Sequence, residues 1–253
     1  MFSFGYYIFI FYLWSKIMKK MYIRILFCLY LTVLSMQAFS QSEKYTFSNY
    51  ATIAKIAGVA WKYPKGFVDL QTSIPWTPRG GNTGIGMVYV PVLQSKDSNF
   101  LVMYSNILLY YPNGPTRFNI PIWHQLNGEM EAALGLIDER GFSSKEVKFD
   151  FDKYVTVLTN EDAPFRADTV FIAEIPLPKP YKEKYLYCTG IYACKQGRPS
   201  MMFKCFFTEE GKKNKNGLLT KFYKTVRYLD DNWRFNEKKY NKEYYKLRLK
   251  RWD

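Results

Sequence analysis

The feature that most limits this chain's fold is a series of strand-length apolar segments separated by short polar turns. Residues 87–94 (MVYVPVLQ) and 100–111 (FLVMYSNILLYY) are rich in aromatic and β-branched residues and stand on either side of SKDSN. Residues 169–177 (TVFIAEIPL) end at Pro178 and Pro180, and residues 184–195 and 200–208 flank QGRP. Turns this short allow only antiparallel pairing, because parallel neighbours need a crossover of about a dozen residues or more. Pro91 has no N–H to give a ladder, so it predicts an edge strand or a bulge. VKFDF (147–151) alternates and predicts a further strand. VAWKYPKGFVDLQ (59–71) predicts two short extended pieces with a turn at Pro64 and Gly66, and residues 75–86 (PWTPRGGNTGIG) read as a loop.

Helical periodicity interrupts the strands in few places. In IWHQLNGEMEAALGLIDER (about 122–140), Trp123, Leu126, Met130, Leu134 and Ile137 recur every three or four residues, with Gly141 placed to end the helix. NGLLTKFYKTVRYL predicts a C-terminal helix (about 216–230) through Leu218, Leu219, Phe222, Val226 and Leu229. A short helix at 48–58 would be capped by Ser48 and stopped by Gly58. The expected fold class is therefore α+β: an antiparallel sheet with a central amphipathic helix and a C-terminal helix packed on it.

The N-terminus reads as a leader. Lys16, Lys19, Lys20 and Arg24 precede the apolar ILFCLYLTVL, and Ala38 and Ser40 supply a small-x-small cleavage site. Residues 1–40 are expected to be a signal peptide, with 1–17 an over-extended start and translation beginning at Met18 or Met21. The rival is an uncleaved inner-membrane anchor, but the apolar core is shorter than the roughly 20 residues that span a bilayer. Residues 41–232 are expected to be one α+β domain and 233–253 a basic aromatic tail. The formal charge is +14, and from residue 211 onward fourteen Lys and Arg face five Asp and Glu. A basic end on a nearly neutral body suggests a local electrostatic contact. Export argues against nucleic acid as the partner and favours an anionic envelope component or a protein.

The order of strands, one helix, three strands with a final hairpin and a closing helix resembles the PsbP-like α/β/α sandwich over residues 45–230. ADTVFIAEIPLPKPYKEKY and FFTEEGKKNK also resemble stretches in uncharacterised exported proteins of Gram-negative bacteria. The PsbP-like resemblance implies binding and assembly roles and brings no catalytic residues.

Three cysteines fall in the mature region. A turn centred between Gln196 and Gly197 puts Cys188 opposite Cys205, where paired Cα atoms about 4.5 Å apart fall within disulfide reach. A Cys188–Cys205 disulfide suits an oxidising compartment and leaves Cys194 over. The alternative is three reduced thiols acting as small hydrophobes. C-x5-C-x10-C lacks the close ligand pairs of structural zinc, so no metal is expected. A nucleophilic cysteine needs a base. The sole histidine is His124; with Cys188 it makes the only catalytic pair that could be named, and nothing local activates either.

Anion or surface contact falls to Arg79, in the glycine-rich RGGNTGIG, and to Arg234, Lys238, Lys239, Lys242, Lys246, Arg248, Lys250 and Arg251 in the tail. Asp150 and Asp152 are expected to share a strand face, and Glu161, Asp162 and Asp168 recur in NEDAPFRAD. A pocket of convergent polar groups near His124 or Asp168 would favour an enzyme. The expected function is an exported, non-enzymatic binding or envelope-associated module without a cofactor. Its rivals are a hydrolase or thiol enzyme with an unfamiliar site, and a membrane-tethered scaffold.

Overall fold

A computed structural model describes most of residues 51–78, 87–105, 122–137 and 146–229, with isolated positions beyond. The chain divides at Glu43/Lys44, and every described residue belongs to the second unit. The leader, Arg79 and nearly all of the tail lie outside the described residues; of the tail cations, only Lys238 and Lys242 are described, as exposed helical positions.

The protein is α+β. Its strands are β1 (Val59–Trp61), β2 (Phe67–Asp69), β3 (Ile74–Trp76), β4 (Met87–Ser95), β5 (Phe100–Ser105), β6 (Val155–Thr159), β7 (Thr169–Ile175), β8 (Tyr187–Cys194), β9 (Met201–Phe207) and β10 (Val226–Tyr228). Its helices are α1 (Ile122–Leu134), α2 (Phe151–Tyr154), α3 (Glu209–Lys213) and α4 (Lys215–Tyr223). The main sheet runs β2-β4-β5-β9-β8-β7-β6, with β3 also on β4; β1 and β10 form a separate pair. All described pairings are antiparallel.

Both sheet faces are covered. One packs Phe100, Val102, Tyr104, Phe203 and Cys205 against Leu219 and Phe222 of α4 and against β1 and β10. The other packs Leu101, Met103, Met202 and Phe206 against Leu126 and Met130 of α1. Hence β9, in the middle, is buried at all seven positions and reads as an apolar run broken only by Lys204.

Several expectations change in detail. Pro91 marks a bulge: the β4–β5 register shifts between Tyr89 and Val92, and β4 is interior. The expected loop at Pro75 begins as β3, and Trp76 is buried. Gly58 does end a helical stretch, at φ 81° with its N–H on Lys55 O. α1 stops earlier than its stripe, because Gly135 adopts φ 75° and donates to Ala132 O while Leu136 N–H donates to Glu131 O. That Schellman geometry makes Gly135 the terminator in place of Gly141, which lies outside the described residues. Trp123, expected in the stripe, is exposed.

VKFDF is not a strand. Asp150 accepts a hydrogen bond from Lys153 N and caps the single turn of α2, so Asp150 and Asp152 do not share a strand face. The strand is the next segment, β6. The C-terminal helix also ends early: Val226 and Tyr228 belong to β10, paired with Trp61 and Val59.

Candidate functional site

Cys188 and Cys205 do not form a disulfide; all three described cysteines are free. In the observed β8–β9 register Cys205 faces Thr189 and Cys188 faces Phe206. The observed pairing is shifted by one residue from the expected one, and that slip puts the two thiols on opposite sheet faces. Burial pushes the Cys188 and Cys205 thiols well up from their ordinary value. Cys194 is pushed to about 11, chiefly by burial, with a hydrogen bond to Ser200 opposing. Thiols held protonated are poor nucleophiles. His124 lies half-buried near the start of α1, stacked on Trp123 with ring centroids 3.7 Å apart. Among the described residues no cluster of three or more His, Cys, Asp or Glu could hold a metal ion.

The most unusual chemistry lies under α1. Glu129 is 1% exposed and Lys204 of β9 is fully buried; Lys204 Nζ lies 2.7 Å from Glu129 Oε2. Tyr192 OH donates to the same oxygen. Oε1 accepts from Tyr89 OH at 3.1 Å and Gln125 Nε2 at 2.9 Å. The ammonium also sits 4.1 Å from the Tyr192 ring centroid and 5.5 Å from that of Tyr89. Burial and the Glu129 charge raise the Tyr192 phenol well above its usual range, so it stays a donor. Glu129 has partners at both oxygens and is sealed from solvent. The arrangement fastens α1 to the sheet and has no open face for a substrate.

Among the described residues an open cleft of about 510 Å³ lies beside the β6–β7 connection, lined by Asn160, Glu161, Arg166, Asp168 and Lys195 over an apolar floor of Ala163, Ala167 and Leu229. Two 3₁₀ turns, Asn160–Asp162 and Pro164–Arg166, form its wall. Three non-glycine residues there hold positive φ: Asn160 (55°), Phe165 (67°) and Arg166 (55°). Such backbone costs roughly 1–3 kcal/mol per residue and persists only when its surroundings enforce it. Phe165 is the enforcing contact: it is buried against Phe203, Phe222 and Tyr223, with centroids 5.4, 5.8 and 5.2 Å away. The next residue, Arg166, is thereby turned outward, exposed and without an ion pair among the described residues. Asp168 accepts from Gln196 N at 2.7 Å and from Lys195 Nζ at 3.4 Å, which holds the β8–β9 turn against the cleft.

Of the residues singled out from sequence, the structure gathers only Glu161 and Asp168 here. It leaves His124 and the cysteines elsewhere. Arg166 was missed, although a cation following Pro164-Phe165 in a turn-rich stretch was the available sign. Lys204 and Glu129 were missed too, and a lysine inside MMFKCFF was the plainest signal of a buried charge.

No known family model matches the chain, and no curated protein matches it. Among solved structures it is similar to cyanobacterial PsbP (CyanoP) from Synechocystis sp. PCC 6803, at 12% identity over 68% of this chain and 87% of that one, with a TM-score of 0.33. A likeness at that score says nothing about the site.

Proposed function

We propose that this chain is an exported, non-enzymatic binding module that recognises an anionic group, a carboxylate or its equivalent on an envelope component or partner protein, in the cleft beside β7. The observation that carries this reading is Arg166: exposed, without an ion pair among the described residues and held on left-handed backbone by a buried aromatic neighbour. The left-handed backbone sets where the Arg166 side chain leaves the wall, and a guanidinium's planar fork matches a carboxylate bidentately. Lys195 adds a second cation, and Glu161 and Asp168 on the rim would discriminate against ligands carrying excess negative charge. The polar cleft at Asp168 is the feature expected to favour an enzyme, and it supports a hydrolase as the second reading; thiols kept protonated by burial weigh against the thiol-enzyme version. The leader sequence supports export, and among the described residues no helix is long and apolar enough to cross a membrane.

The test is a chemical-shift titration of the isotope-labelled chain with glutarate and then with short acidic peptides. Saturable shifts confined to residues 160–168 and 195–198 are expected, and Arg166→Gln should abolish them while leaving the melting temperature unchanged. Shifts of equal size in Arg166→Gln, or none around the cleft, would defeat the assignment. N-terminal sequencing of material from the producing cell tests export separately.

A further inference from the structure

We propose that β6 is a self-association edge at which two copies of this chain pair antiparallel about a two-fold axis through Val157, joining their sheets. This rests on the sheet's geometry and is independent of the cleft.

At one end of the main sheet, β2 and β3 are three residues long, contain Asp69 and Pro75, and share the same side of β4. Short strands, charge and proline are the usual protections of an edge. At the other end β6 has none of them. Its sequence is VTVLT, uncharged and mostly β-branched, and among the described residues it pairs only with β7. Thr156, Val157 and Thr159 are exposed, Val157 at 44%.

The ladder shows which backbone groups point outward. Asn160 N–H donates to Asp168 O, its ladder partner, so the even-numbered β6 residues bond to β7. Counting from the opposite side agrees. Thr208 N–H donates to Asn99 O, which assigns even β9 residues to β5, and alternation through β8 and β7 then assigns even β6 residues to β7. The odd residues of β6 therefore present N–H and C=O away from the sheet. Val155 N–H is taken by Phe151 O as the cap of α2. The groups of Val157 and the N–H of Thr159 have no partner among the described residues.

VTVLT suits pairing with itself. With the axis at Val157, Val157 faces Val157 of the second copy and exchanges both hydrogen bonds with it. Thr159 N–H reaches Val155 C=O, whose own N–H needs no partner. Thr156 lies opposite Leu158. Every cross-strand pair is then apolar or β-branched, with no like charges opposed. The same register sets the end of one strand that carries Asp152 and Lys153 beside the end of the other that carries Glu161 and Asp162; all four side chains are exposed, and Lys153 is the cation among them. A five-residue edge buries less than the roughly 1,200 Å² of a typical stable interface, so the dimer should depend on concentration.

Sedimentation velocity on the full purified chain over a wide concentration range should show a monomer–dimer equilibrium. Val157→Lys, which opposes two lysines at the axis, should leave only monomer with an unchanged circular dichroism spectrum. Val157→Cys places two thiols on Cα atoms about 5.5 Å apart, within disulfide reach, and should give a dimer band under mild oxidation. Thr156→Cys, which never meets its own copy, should not. A chain monomeric at every concentration, or a dimer that survives Val157→Lys and gives no Val157→Cys band, would overturn the proposal.

Discussion

At the scale of single residues, the three cysteines show how far a local pattern reaches. Their placement on strands was legible, because apolar runs around QGRP can hardly be anything else. Their pairing was not. Four turn residues do not fix the register, and a one-residue shift in pairing transfers Cys205 to the face opposite Cys188. What burial does to these thiols gives a testable consequence. Cys194 is raised from 9.0 to about 11, so the unfolded chain releases this proton before the folded one does. Its contribution to stability is therefore intact below about pH 9 and is lost as the pH climbs to about 11. Chemical denaturation across that window should show falling stability, and Cys194→Ala should flatten part of the slope. An identical pH profile in Cys194→Ala would mean that the thiol ionises equally well in both states. The buried Cys188 and Cys205 shift in the same direction, so the variant comparison isolates Cys194.

At the scale of elements, periodicity found α1 but not its end or its hold on the sheet. The apolar stripe continues past Leu134 to Ile137 at helical spacing, yet Gly135 reaches a left-handed conformation cheaply and closes the last turn. VKFDF failed for a related reason: alternation favoured a strand, while Asp150 reaching Lys153 N favoured a capped turn, and the cap won. The hold of α1 on the sheet was illegible because Glu129 and Lys204 are 75 positions apart in sequence and each alone reads as an ordinary charge. Removing one partner leaves the other buried and uncompensated, at a cost of about 3–5 kcal/mol. Lys204→Met should therefore destabilise the protein by about that amount in urea denaturation. Glu129→Gln combined with Lys204→Met should recover much of the loss, since a neutral amide needs no counter-charge: its oxygen still accepts from one phenol, Tyr89 or Tyr192, and its NH2 can donate to the hydroxyl oxygen of the other. If the double variant is as unstable as Lys204→Met alone, the pair is not coupled and the loss belongs to packing against the rings.

At the scale of the whole molecule, the α+β class followed from element order, but the closure of the body did not. Leu218, Leu219, Phe222, Val226 and Leu229 keep a helical period, so nothing local separates α4 from β10. The break comes at Thr225, whose N–H and hydroxyl both turn back to Phe222 O. β10 then finds β1, the first strand of the described body, a partner too distant in sequence for any local pattern to reveal. That pairing carries weight. Tyr228 is fully buried and its hydroxyl lies 3.0 Å from both Ala193 O and Pro199 O, its single proton shared between them, tying the β8–β9 turn to the small sheet. Leu229 N–H then donates to Gly58 O, the last of these ties. A chain ending after Leu229 should accordingly melt as cooperatively as the full chain, although it has lost the tail cations. A chain ending after Tyr223 strips Val226 and Tyr228 from the core and leaves β1 unpaired, so its thermal transition should broaden or vanish. The two truncations, compared by calorimetry, separate the tail's charge from the fold. If retention on anionic vesicles disappears with the Leu229 truncation while the melt is unchanged, surface binding belongs to the tail alone. If the melt collapses as well, the residues beyond Leu229 are part of what holds the body closed.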